Sequence, residues 1–202
     1  MKGVIFAILA IVLSNVLIAC GSGAQPEATS VFTRTFTTDD LPMFVIQPSD
    51  TSVPLLSSAS DLNEMWFFWT ELMGEPQDPT PLWKCDPQAG ELREYHRDDP
   101  PLWFHSYAIL LKDTEGAKKF FKILDKKFRG GDSKRIESVG LGDESVEFAL
   151  PQQPNTNWTY YDYLWRASNV VLLIESQDAS GQSMLKEEDV FALAMQIQSR
   201  MK

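Results

Sequence analysis

The spacing of apolar positions changes several times along this chain, and each change predicts an element. Gly3 to Ala19 is an almost unbroken apolar run, interrupted by Ser14 and Asn15. From about Ala59 to Met73 the pattern turns helical: Leu62, Met65, Trp66, Trp69 and Met73 share one stripe, which Phe67, Phe68 and Leu72 widen. Ser58 or Ser60 caps this helix, Asp61 and Glu64 suit its positive end, and Gly74 with Pro76 stops it. Pro76, Pro79, Pro81 and Pro87 then predict a long loop from Glu75 to Gly90 around Leu82-Trp83.

Alternation takes over next. Glu91 to His96 reads as a strand, Arg97 to Pro101 as a turn, and Leu102 to Leu111 as a second strand with both faces apolar, as a central strand covered on two sides requires. Asp113 or Thr114 starts a helix in which Ala117, Phe120, Phe121, Leu124 and Phe128 recur at i, i+3, i+4, i+7 and i+11, ending at Gly130-Gly131. Three more strands follow, Ser145–Leu150, Trp158–Arg166 and Val170–Ser176, the last two joined through Ala167-Ser168-Asn169. An acidic-starting helix from about Lys186 to Met201 closes the chain. The order helix, two strands, helix, three strands, helix predicts an α+β fold: an antiparallel or mixed sheet of about five strands with helices packed on it.

The N-terminus carries an address. Met1-Lys2 gives a positive start, the apolar run ends in Leu17-Ile18-Ala19-Cys20, and small residues follow in Gly21-Ser22-Gly23-Ala24. These four residues resemble the lipobox of bacterial lipoproteins. The resemblance implies that a diacylglyceryl group, carrying palmitate-type chains, is attached to the Cys20 sulfur and that a peptidase cuts before it. It also places the protein in the cell envelope, on the outer face of the cytoplasmic membrane or on an outer membrane. A signal peptide without lipidation gives Cys20 no task, and a retained anchor needs ~20 apolar residues to span the bilayer. The chain therefore divides into a leader over 1–19, a lipidated cysteine and Gly/Ser/Pro-rich tether over 20–38, and one globular domain over 39–202. Prolines at 42 and 48 prevent a long helix at the start of the domain.

Charge narrows the partners. The formal net charge is −10, and loss of Lys2 with the leader takes it to −11. Nucleic-acid binding and electrostatic adhesion to anionic lipid are both disfavoured, so acyl chains must do the anchoring. Two or more chains suffice, at ~0.8 kcal/mol per buried CH₂. With Cys20 lipidated, the only other cysteine, Cys85, has no intrachain partner and reads as a small buried apolar residue.

A second resemblance rests on Asp39–Pro48, on Leu111–Ala117, on the turn Gly140–Ser145 and on the hairpin Tyr163–Ile174. These segments look like features of uncharacterised bacterial surface lipoproteins whose domains are similar to the PsbP-like α/β/α arrangement. That resemblance implies a binding, sensing or accessory role without catalysis.

Candidate chemistry is sparse. His105, inside the apolar strand, reads as a structural histidine. His96 with Asp98 and Asp99 is the alternative, a hydrolase-type acid/base site, although no second histidine or Cys/His spacing supports a metal. Ser106 and Ser145 lack a nucleophile elbow, Asp143 and Glu144 belong to a glycine turn, and Glu187, Glu188 and Asp189 suit a helix start. Trp158, Tyr160, Tyr161, Tyr163 and Trp165 alternate along one strand. Tyr161, Tyr163 and Trp165 share a face and are the candidate ligand-binding residues, against the plainer reading that they are core. The sequon Asn157-Trp158-Thr159 carries nothing in a bacterial lipoprotein. No cofactor or metal is expected. The expected partners are the membrane, through Cys20, and an envelope protein or polymer, with a structural subunit of a membrane complex as a further alternative.

Overall fold

Leu102 to Leu111, the run apolar on both faces, lies in strand β3 (Pro101–Leu111), which pairs antiparallel with β2 (Pro87–Asp98) on one side and β7 (Val170–Asp178) on the other. The computed structural model describes residues 32–65, 80–129, 133–137, 139–150, 158–181 and 184–202. The leader, Cys20, most of the tether, and residues 66–73 of the first predicted helix lie outside the described residues. Residues 62–65 are helical, and Met65 is buried.

Among the described residues the sheet has seven strands rather than about five, and all their pairings are antiparallel. With β1 (Leu55–Ala59), β4 (Lys134–Glu137), β5 (Glu144–Leu150) and β6 (Tyr160–Ala167), the order is β1-β2-β3-β7-β6-β5-β4. The two strands that the sequence pattern does not mark, β1 and β4, are its edges. Neither needs apolar alternation: Leu55 and Leu56 are exposed, and Lys134, Arg135 and Glu137 charge the opposite edge, which discourages pairing with another chain. Ala59, expected to begin a helix, instead ends β1.

Each face of the sheet has its own cover. Helix α1 (Thr114–Phe128) starts where Asp113 accepts a hydrogen bond from Gly116 N at 2.8 Å, and it buries Ala117, Phe120, Phe121 and Leu124 against one face. Beneath them lie Leu92, Ile109, Phe148, Leu164 and Leu173. Cys85 is buried in this layer, and burial raises its thiol pKa. Helix α2 (Glu187–Arg200) buries Val190, Leu193, Ala194 and Ile197 against the other face. Each such side chain removed from water contributes ~1.5–3 kcal/mol before entropy is charged.

A 3-10 helix, Thr38–Met43, and the segment after it complete the α2 layer with Phe36, Leu41, Phe44, Val45 and Ile46. Phe36 is 2% exposed, so packed structure begins inside the segment expected to be tether. Asn169, in the tight β6–β7 turn, holds that segment down. Its side chain accepts from Phe36 N at 2.8 Å and donates to Phe36 O and Leu111 O. Arg200, at the far end of α2, donates to Met43 O and Val45 O and pairs with Asp50 at 2.8 Å.

Candidate functional site

Cross-strand register, rather than chain proximity, assembles a polar row on the face of the sheet that α1 covers. Under α1 the facing rows are apolar, as in Leu92, Tyr107, Leu173 and Leu164 across β2, β3, β7 and β6. Two residues further along each strand the row becomes polar. Ser57 opposes Glu94, Glu94 opposes His105, and His105 opposes Glu175. Asp162 of β6 extends the row, its Oδ1 accepting from Ser176 N at 3.0 Å. The next row outward holds His96, Trp103 and Gln177.

The imidazole of His105 lies between two carboxylates. Its Nδ1 is 3.6 Å from Glu175 Oε2, and its Nε2 is 3.8 Å from Glu94 Oε1. Burial alone would lower its pKa, but the flanking Glu175 and Glu94 charges outweigh burial and raise it. Asp162 responds in the same sense for a different reason: burial, reinforced by the nearby Glu175 charge, lifts its carboxyl well above the usual range despite the bond from Ser176. Burial and Glu175 likewise push up the Tyr107 hydroxyl. The row therefore retains protons that the isolated side chains would release.

His105, Glu175 and Asp162 of this row floor a cleft of about 160 Å³, lined also by Trp103, Tyr160, Ser176 and Gln177. Aromatic walls over carboxylates accept hydrogen-bond donors or positive charge and disfavour anions. Among the described residues no group of three or more His, Cys, Asp or Glu is placed to hold a metal.

The sequence candidates fall in different places. His96 stacks on Trp103, centroids 4.9 Å apart, at the outer edge of the row, with its Nε2 3.4 Å from Asp98 Oδ1. Asp98 itself stands in solvent. Tyr163 and Trp165 are 1% and 0% exposed and Tyr161 is partly buried, so these rings are packed on the α2 face rather than displayed as an open platform. Apolar cover from α2 and the 3-10 segment takes up that face. Ser106 Oγ accepts from Ile46 N, and Ser145 Oγ from Leu141 N. Asp143 and Glu144 are more than turn residues, because both pair with Arg166. The surroundings of His105 are also less apolar than the sequence suggests. Sequence spacing does not single out Glu94, Asp162 and Glu175, although a charge at an inward strand position, such as Asp162 between Tyr161 and Tyr163, is a visible signal.

The crystal structure of the extracellular domain of PknH from Mycobacterium tuberculosis is similar to this chain, with a TM-score of 0.59. The likeness is one of fold. Identity is 10%, and the match covers 83% of this chain and 97% of that one. No protein-family model and no curated protein matches the sequence. Among the described residues no helix is long and apolar enough to cross a membrane.

Proposed function

We propose that this chain is a bacterial lipoprotein, held at the outer side of a membrane through acyl chains on Cys20, whose globular domain binds an envelope ligand or partner without catalysis. The observation that carries the binding role is the cleft floored by His105, Glu175 and Asp162 and walled by Trp103 and Tyr160, with Glu94 flanking the imidazole from β2. Gathering Glu94, Glu175 and Asp162 along one strand row carries a desolvation cost that an apolar row would not have. Retention of such a row is accounted for if the cleft meets donors from a ligand. The fold shared with an extracellular domain supports the same reading by analogy.

The geometry around the imidazoles favours binding over hydrolysis. Both ring nitrogens of His105 face carboxylates, and His96 lies flat on Trp103 beside a solvent-exposed Asp98. The PsbP-like resemblance points the same way. Fractionation of intact cells tests the anchoring. The wild-type protein is expected in the membrane fraction and open to protease added outside, and Cys20→Ser is expected in the soluble extract. Persistence of the variant in the membrane fraction overturns the proposal.

A further inference from the structure

On the opposite face, register builds a second row with a different chemistry. Ile136 of β4 opposes Glu147 of β5, and Glu147 opposes Tyr163 of β6. Glu147 is 3% exposed. The Tyr163 hydroxyl is its hydrogen-bonding neighbour, yet Glu147 Oε1 is buried with no hydrogen-bond partner of ordinary geometry among the described residues. A buried carboxylate oxygen without a donor costs more than a surface one, and native interiors satisfy nearly all such atoms. Glu147 and Tyr163 line a groove of about 460 Å³, whose other walls are the apolar Ile136, Val139 and Phe191 and the acidic Glu187 and Glu188.

We infer that this groove is a binding site for a small amphipathic amine, with the ammonium on Glu147 and the apolar body against Ile136, Val139 and Phe191. Three carboxyl groups around one apolar trough attract a cation and repel an anion. A neutral alcohol meets the same walls without the charge. The groups acting on Glu147 are Glu187 from α2, Tyr163 from β6 and Lys134 from β4; Tyr161 and Glu188 stand nearby on β6 and α2. Burial first, and Glu187 second, raise its pKa, and an arriving ammonium works in the opposite sense. The site lies on the opposite side of the sheet from the His105 cleft and does not depend on lipidation.

The test is calorimetric titration of the chain from residue 20 onward, carrying Cys20→Ser, with octylamine, octanol and octanoate below their aggregation concentrations. Octylamine is expected to bind saturably at one site. Octanol is expected to bind at least about tenfold more weakly, the equivalent of ~1.4 kcal/mol, and octanoate not at all. Glu147→Gln is expected to lose about tenfold in octylamine affinity while keeping its affinity for octanol. If Glu147→Gln does not fold, Phe191→Ala on the partly exposed face of α2 serves instead, with weakened binding of both octylamine and octanol. Equal affinity for octylamine and octanol, no saturable binding, or octylamine binding unchanged in the folded variant overturns the inference.

Discussion

His105 Nδ1 stands 3.6 Å from Glu175 Oε2, on neighbouring strands at the middle of the sheet. Because this pairing raises the histidine pKa above its ordinary 6.5, the folded state binds a proton that the unfolded state gives up. The stabilisation is full below 6.5 and is lost as pH rises through the folded value. Urea-unfolding free energies measured across this range are expected to fall with rising pH for the wild type and to fall less steeply for His105→Gln. Identical slopes would remove the pair from the account.

Asp162 gives a companion expectation in the same row. Its raised pKa means that the native carboxyl holds a proton to higher pH than an unfolded one, whose ordinary value is 3.8, so its ionisation works against the fold as pH increases. Asp162→Asn keeps an oxygen for Ser176 N and removes the titration. At neutral pH it is expected to raise stability by about 1 kcal/mol, the net scale of one hydrogen-bonded polar group. A loss of that size would show that the ionised carboxylate is needed.

Arg166 and Asp143 illustrate the opposite case, a buried pair that is satisfied. Their side chains are 4% and 1% exposed, the N–O separation is 3.0 Å, and Asp143 also accepts from Ser168 N. Removing Asp143 leaves the buried Arg166 guanidinium with Glu144 and Ser168 O alone and takes the acceptor from Ser168 N. Asp143→Ala is expected to cost about 1–3 kcal/mol in chemical denaturation, the scale for a buried group left short of a partner, whereas breaking an exposed pair such as Lys118 with Glu115 should leave stability nearly unchanged.

Gly142, beside that pair, has φ +56, and a Cβ there would sit 2.2 Å from Arg166 O. Gly142→Ala meets both backbone strain and a backbone clash that no rotamer relieves. A loss of about 1–3 kcal/mol is expected from the dihedral alone. Gly140, with φ +84 and open space where a methyl group would sit, should lose only the dihedral contribution when changed to alanine. Thermal unfolding of the two variants separates these terms.

Legibility in the sequence follows the range of the interactions. The stripe Ala117, Phe120, Phe121 and Leu124 marks α1 because a helix reads its own neighbours three and four residues away, and Asp113 marks its cap by the same local logic. The β6–β7 hairpin is legible from two apolar runs around Ser168-Asn169. The edge strands are not, because β1 and β4 carry exposed leucines and charges where alternation would be expected. The polar row is harder still. Glu94, His105, Asp162 and Glu175 are neighbours through the pairing of four strands, and no local spacing encodes that register. Tyr163 and Trp165 are visible as a strand face, but whether that face is open depends on α2, which lies more than twenty positions later.

Mass spectrometry of the polypeptide extracted from membranes tests the lipoprotein reading most directly. The account predicts a chain that begins at Cys20 and carries the mass of a diacylglyceryl group on it. A chain that retains Met1, or one that begins at Cys20 with an unmodified thiol, would contradict it.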